Sequence, residues 1–370
     1  SIPVNLLVLP FASVILITGA AACILGTMFG AGHLFIPARA VINAVRQICT
    51  GACRLPGAVY VTGAPGAFRI MLFAAGIIYG TGLLKAGRKR AGVLMYVLVI
   101  LGLIRPALKD TGIIFPDVGQ GDCIIISSPE ACIIVDGGSS TVDSVGRYRI
   151  EPLLKYMGID TIDAVIMTHM DSDHVNGLRE LMEGSGEGPL RTRKVFFSCH
   201  TVNEDKREEL MKLAAEKGIE TGVLGRGSII KTDKVRLECL YPSEYETSED
   251  ENGCSLVFYV KAEGVSALLT GDVDDSVEKL MAGDRRISDV DILKVSHHGS
   301  RFGTCRELLD EAKPEAAVIS CARYNRYGHP DRNVVKRLTQ CGAWVLRTYW
   351  KGCITFICRE DGYDVETYIK

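Results

Sequence analysis

Two kinds of pattern follow one another along the chain, and the change falls near residue 110. Residues 4–29 read VNLLVLPFASVILITGAAACILGTMF, 26 positions without a charge. A hydrocarbon core takes about 20 apolar residues in a helix, so this run is long enough to span one. Residues 70–84 and 91–104 are also apolar but shorter. They reach spanning length by enlisting flanking small residues and snorkelling Lys or Arg side chains. Between the first two runs, LFIPARAVINAVRQICTGACRLPG keeps apolar residues near helical spacing, interrupted by Arg39, Arg46 and Arg54. That pattern predicts a helix lying at headgroup level, and a soluble core helix has the same signature. His33, just ahead of it, reads as structural.

After Asp110 the pattern becomes short β runs separated by Gly and Asp turns. GIIF, DCIIIS and ACIIVD predict three strands joined by tight turns. A helix follows at 148–158, then the strand IDAVIMT and a helix from about Asp173. Further strands are expected near 194–198, 235–241, 254–261 and 265–270, and at DILKV, AAVIS, AWVLR and CITFI. Helices at 203–217, 274–282 and 331–340 intervene. Strands and helices mixed in this way predict a layered α/β domain, and about 260 residues suffice for its core. The expected organisation is a membrane segment over 1–109, with three spans and an interfacial helix, and a folded domain over 110–370.

Charge sharpens the division. Residues 1–109 hold ten Lys or Arg and no acid; the remainder holds 32 basic and 44 acidic residues. A +10 segment and a −12 domain thus cancel to the overall −2. This excludes a uniformly soluble enzyme, a disordered chain and a small disulfide scaffold. Lys85, Arg88, Lys89 and Arg90 lie between the last two spans, and the positive-inside rule puts that loop in the cytoplasm. The third span then carries residues 110–370 outside, although Arg39, Arg46, Arg54 and Arg69 pull the other way. The thirteen Cys contain no CxxC pair, so they read as small buried apolar residues. The chain opens on Ser, as a piece of a longer protein would, and its first apolar run lacks a signal peptide's basic start.

The chemistry concentrates in Thr168-His169-Met170-Asp171-Ser172-Asp173-His174. Four metal-ligand side chains fall within six residues, directly after an apolar strand. Alternate residues at a strand end, His169 and Asp171, can point at one place. A helix start then aims Asp173 and His174 at a second, which suits two metals roughly 3.5–4 Å apart. A solvated loop with Asp173 as helix cap is the plainer alternative.

This segment resembles the HxHxDH signature of the metallo-β-lactamase superfamily, in an HxDxDH form. Leu269-Thr270-Gly271-Asp272 is similar to the strand-end Asp that bridges both metals. Ser296-His297-His298-Gly299-Ser300 is similar to the last ligand motif. Together FPDVGQGD, VDGG, THMDSDH, LTGD, SHHGS and YGHP resemble the C-terminal domain of ComEC-type DNA-internalisation (competence) proteins, and the spans before them resemble the end of that family's membrane domain. The resemblance implies an αββα sandwich preceded by transmembrane helices. It implies two divalent ions, Mn²⁺ or Zn²⁺, held by His169, Asp171, Asp173, His174, Asp272 and one of His297 and His298. Such ions activate water for attack on a phosphorus or carbonyl centre, with Asp173 and Asp272 as the catalytic carboxylates. Asp171 in place of the usual second His makes the ligand set harder, which favours Mn²⁺.

Asp117, Gln120, Asp122 and Asp136 read either as supports for metal-bound imidazoles or as turn formers. Asn325, Tyr327 and His329 in NRYGHP read as a phosphate contact, as a closure over the site, or as an ordinary turn. The resemblance also calls for a His before the bridging Asp, and Leu240–Ser255 holds none, so one metal is expected to bind weakly. His200 reads as a surface residue.

The function expected is a membrane-anchored phosphodiesterase or nuclease in DNA uptake. Its partners would be DNA, the membrane and other uptake proteins. A phosphorylcholine esterase and a non-catalytic gate are the alternatives. The acidic balance of the domain argues against tight generic DNA binding. Arg191, Arg193 and Lys194 are the candidate basic patch, with a solvated strand edge as its plainer reading.

Overall fold

The computed structural model describes residues 2–29, 35–53, 60–102, 110–186, 188–246 and 248–369. It divides into two compact units, Ser1–Tyr60 with Gly186–Pro189, and Val61–Ser185 with Leu190–Lys370. His33 and Arg54 lie outside the described residues.

The first unit holds helices α1 (Ile2–Phe29) and α2 (Ile36–Cys53), packed on one another. Within α1, Val8–Met28 is long and apolar enough to cross a membrane, and Leu9, Leu16 and Ile17 are exposed on it. On α2, Arg39 and Arg46 are seven positions apart and so share a face.

The second unit begins with α3 (Ala67–Lys85), the other helix of spanning length and composition among the described residues. It turns tightly into α4 (Lys89–Leu101). Small residues let the two come together: a Cβ on Gly76 would stand 2.2 Å from Val99 Cγ2, and one on Gly92 2.6 Å from Leu84 Cγ. Thr81 and Tyr96 join their hydroxyls at 2.8 Å. Small residues and a hydroxyl pair are the means by which helices associate in lipid. The third expected span is only 13 helical residues here, and residues 103–109 beyond it lie outside the described residues.

Seventeen strands follow among the described residues. β1 (Thr111–Phe115), β2 (Cys123–Ser127) and β3 (Cys132–Gly137) form a meander. β4 (Thr161–Ile162) and β6 (Arg191–Thr192) pair as a short ribbon. β5 (Ala164–Met167), β7 (Lys194–Ser198) and β8 (Glu220–Leu224) extend the meander in parallel. β16 (Ile354–Arg359) and β17 (Gly362–Thr367) close its other side, giving the order β17-β16-β1-β2-β3-β5-β7-β8. The second sheet runs β15 (Trp344–Arg347), β14 (Ala316–Ile319), β13 (Ile292–Lys294), β12 (Val265–Leu269), β11 (Val257–Ala262), β10 (Val235–Tyr241) and β9 (Ile229–Lys231).

Strand side chains alternate between faces, and here both faces are apolar. Ile113, Phe115, Ile124 and Ile126 meet Leu237, Phe258 and Val260 of the second sheet. Their neighbours Ile114, Ile125 and Ile134 face the other way. They pack under α5 (Glu151–Met157), α6 (Ser172–Gly184) and α7 (Glu204–Glu216) through Leu154, Leu178 and Leu210. Leu268, Leu293 and Ala317 pack likewise under α8 (Asp275–Met281), α9 (Arg306–Ala312) and α10 (Arg332–Gln340). Three stacked cores make the expected four layers, αββα. Twelve of the cysteines are free, and seven of them are buried.

Candidate metal centre

The motifs gather where parallel strands end. Asp136 closes β3, His169 follows β5, Asp272 follows β12 and His298 follows β13. β3 and β5 are parallel neighbours in one sheet, β12 and β13 in the other. Carboxyl ends of parallel strands are where α/β sheets present their sites.

On the first sheet, Thr168 donates its N–H to Asp136 Oδ1 at 2.9 Å and its hydroxyl to Asp136 Oδ2 at 2.8 Å. The loop beyond is held from outside. Met170 N–H donates to Glu251 Oε1 at 2.7 Å, and Lys206 Nζ donates to Met170 O at 2.6 Å. Asp171, not Asp173, occupies the N-cap of α6, and it makes no side-chain cap bond. Asp173 sits in the first turn with its carboxylate free for the cluster. The opening hairpins press directly against this turn. A Cβ on Gly138 would meet Asp173 C at 2.4 Å, and one on Gly121 would meet Asp173 O at 2.5 Å. Only glycine fits there, which accounts for VDGG and GQGD.

On the second sheet, Asp272 N–H donates to Ser255 Oγ at 3.2 Å. After β13 the chain turns through His297 (φ 47°), His298 (φ 55°) and Gly299 (φ 84°). Left-handed conformations are unusual for non-glycine residues and cluster at functional sites. Here they send two adjacent rings in different directions. His298 is buried, with Nδ1 3.0 Å from Ser320 O. His297 stays partly exposed, its ring centroid 5.7 Å from that of His329.

Donor atoms of His169, His174 and Asp272 lie within 4.8 Å of one another, as do those of Asp173, His174 and His298, and those of Asp122, Asp272 and His298. His174 Nε2 is 3.2 Å and His298 Nε2 3.3 Å from Asp272 Oδ2. His298 Nε2 is 3.6 Å from Asp173 Oδ2. Five buried polar atoms have no hydrogen-bond partner here: Nε2 of His169, His174 and His298, and Oδ1 of Asp122 and Asp272. Stranding such atoms costs about 1–3 kcal/mol each.

The tautomers explain what they await. Thr168 gives its hydroxyl proton to Asp136, so it accepts from His169 Nδ1, 3.0 Å away. His174 Nδ1 faces Asp136 Oδ2 at 2.9 Å, and His298 Nδ1 faces a carbonyl. Each ring therefore donates from Nδ1 and turns its Nε2 inward, the orientation of metal-bound imidazoles. The residues fit a divalent cation.

Electrostatics agree. Burial opposes charging His174 and His298, but Asp272, with Asp136 or Asp122, outweighs it and holds both well above the usual histidine range. Burial likewise opposes ionisation of Asp272, and His174 and His298 reverse it, holding the carboxyl well below its usual range. Burial and His174 keep His169 well below the histidine range. A field that charges two buried imidazoles also attracts a metal ion.

Among the expected residues, His169, Asp173, His174, Asp272 and His298 come together, and Asp122 and Asp136 join them directly. Asp171 stands at the edge. Its side chain is 42% exposed, 3.8 Å from His169 Nε2, and burial with Asp173 nearby raises its pKa. His297 Nε2 approaches Asp272 Oδ2 to 3.8 Å but belongs to none of the tight groups. Asp117 forms a turn by accepting from Gly119 N–H, and Gln120 Oε1 accepts from Ala322 N–H. Asn325 folds its loop: its amide donates to the carbonyls of Ala322 and His329, and its Oδ1 accepts from the N–H groups of Tyr327 and His329. Burial, then His297, lowers His329 to about 4.

His200 is half-buried rather than on the surface, 3.0 Å from Ser243 O and outside the tight groups. The candidate basic patch is largely neutralised, Arg193 by Asp163 and Lys194 by Glu220, both at 2.8 Å. The His-free stretch ends in Ser255, whose hydroxyl lies 3.2 Å from His169 Nδ1. It backs a ligand rather than being one. Sequence reasoning missed Lys294, fully buried 2.5 Å from Asp122 Oδ2. A lysine inside the apolar strand DILKV was the available signal.

A family model described as the metallo-beta-lactamase superfamily matches residues 116–323, more than half of the chain. The chain belongs to that superfamily, as its sandwich and strand-end cluster require. Within it, the chain is similar to ComE operon protein 3 of Bacillus subtilis, 29% identical across 96% of this chain and 48% of that protein. Competence protein ComA of Neisseria gonorrhoeae is 28% identical across 65% of this chain and 31% of its own length. Recombination protein 2 of Haemophilus influenzae is 27% identical across 68% and 29%. These are homologues of the competence type that the motifs resemble. The chain spans about half the length of the first and about a third of the others.

Proposed function

We propose that this chain is a membrane-anchored, metal-dependent phosphodiesterase that processes DNA during uptake. Its organisation would be a membrane segment over 1–109 and a hydrolase domain over 110–370 on the outer face. The observation that carries the chemistry is the convergence of inward Nε2 and Oδ1 atoms without partners at the strand ends. Competence-type homologues carry the biological setting.

His169, Asp171, Asp173, His174, Asp272 and His298 would hold the ions, with Asp272 in reach of both His174 and His298. Bound divalent ions supply an acidified water and neutralise charge developing on the phosphoryl oxygens. The carboxylate oxygens suit Mn²⁺ better than Zn²⁺. Asp173, within 3.6 Å of His298, is partly open to solvent. Burial raises its pKa, but His298 and His174 lower it further, so it stays ionised. It is placed to orient an entering water and accept its proton. Asp136 fixes His174 and, through Thr168, His169.

The test is hydrolysis of a DNA oligonucleotide by the purified full chain with Mn²⁺ or Zn²⁺, against Asp272→Asn. Metal-dependent cleavage that the variant loses is expected. Metal bound without cleavage of any phosphodiester would leave the non-catalytic gate as the better account.

A further inference from the structure

A run of rings leads away from the metal centre. His297 lies 3.8 Å from Asp272 and 5.7 Å, ring to ring, from His329. His329 stacks on Tyr327 at 5.7 Å with the planes 10° apart. The guanidinium of Arg326 lies over the Tyr327 ring at 4.9 Å. Tyr324, one turn of the same loop away, is 82% exposed, with Arg323 5.5 Å from its centroid. Tyr324, Arg326 and Tyr327 border a groove of about 450 Å³ lined also by Ser140, Thr141 and Asn325. Ser140 binds back to Gln120 O at 2.7 Å through its N–H, so the groove adjoins the hairpin that carries Asp122.

We infer that the loop Arg323–His329 is a stacking platform for unpaired nucleobases, and that the centre beside it takes a single-stranded polynucleotide. The inference rests on the phosphodiesterase reading and names its substrate class.

The chemistry of the loop points that way. Exposed aromatic rings paired with cations are the means by which single strands are held without sequence preference, since every base has a π-face. Arg323 and Arg326 have no carboxylate partner among the described residues, in contrast to Arg193 and Lys194. In a domain of net charge −12, a generic phosphate-tracking surface is disfavoured. Local guanidinium groups and stacking area must then supply the affinity. The Asn325 bonds to both sides of the loop preorganise the rings, which lowers the entropic cost of binding. Bases within a duplex are stacked on one another and offer no face to Tyr324 or Tyr327, so the platform discriminates against double strands.

The experiment uses the full chain in detergent and a fluorescein-labelled oligothymidylate of about twelve nucleotides, within the usual span of such sites. Anisotropy is read in chelator, so that binding is measured without turnover. Tyr324→Ala with Tyr327→Ala should weaken binding about tenfold or more, because stacking is worth roughly 1–3 kcal/mol per base. Tyr→Phe at both positions should retain most of it. Calorimetric Mn²⁺ binding by the Ala variant, at wild-type strength, shows that the fold is intact. Unchanged oligonucleotide affinity in the Ala variant would overturn the platform, as would equal wild-type affinity for the same oligonucleotide annealed to its complement. If binding falls as expected but wild type cleaves no DNA with metal, the platform stands and the hydrolase reading fails.

Discussion

Lys294 is fully buried and donates to Val295 O at 2.9 Å while facing Asp122. Burial works against ionisation of Asp122, and Lys294 and His298 more than offset it, holding the carboxyl well below its usual range. The lysine thus compensates a carboxylate that borders the metal cluster. Lys294→Met removes the compensation and leaves a buried anion. Breaking such a pair costs about 3–5 kcal/mol, so chemical denaturation of the purified chain should show a loss of that size. Adding Asp122→Asn to Lys294→Met should recover part of it. Asp173 obeys a different logic. Because Asp171 takes the N-cap, Asp173→Ala and Asp173→Asn should cost little stability. Both should lower phosphodiester turnover about 10²–10⁴-fold, the usual value of a positioned acid–base group. Near wild-type turnover by Asp173→Asn with metal present would remove it from the mechanism.

At the scale of elements, one carboxylate connects three. Asp136 at the end of β3 accepts from Thr168 after β5 and faces His174 on α6. It does so from a left-handed backbone, φ 55°, which Asn also tolerates. Asp136→Asn should therefore fold, yet weaken metal binding about 10–100-fold, as loss of an imidazole-supporting partner does; titration calorimetry with Mn²⁺ reads the change. How much of this was legible in the sequence depends on separation along the chain. His169–His174 could be read because a strand end and a helix start place nearby residues together. A layered α/β domain was legible in the mixture of strands and helices, and its αββα order only through the resemblance. Asp272 and His298 were legible only as motif resemblances, since nothing local says that two sheets will bring them to His174. The Lys294–Asp122 pair and the Glu251 contact to Met170 depend on long loops and left no spacing to read. The alternative that made Asp173 the cap does not hold, because Asp171 takes the N-cap, and two aspartates that both suit a helix start cannot be told apart by spacing. His297 and His298 were equivalent in sequence; two left-handed residues separate them.

For the whole molecule, the distribution of charge and helix length bears on which side of a membrane residues 110–370 would face. Lys85, Arg88, Lys89 and Arg90 cluster at the α3–α4 turn, and such clusters stay in the cytoplasm. α3 is 19 residues, enough to cross. α4 is 13 residues, which at 1.5 Å per residue covers ~20 Å of a hydrocarbon core of about 30 Å. The outer placement of the domain thus requires the chain to cover the remaining distance through residues 102–109. That stretch reads GLIRPALK. If α4 and its continuation cross, protease added to intact cells with an accessible wall should remove residues 110–370 while the α3–α4 turn stays protected. If α4 stops short, the domain remains on the side of the basic turn and survives the same treatment. Complete protection in whole cells, with digestion only after lysis, would put the hydrolase in the cytoplasm and exclude action on DNA before it crosses the membrane.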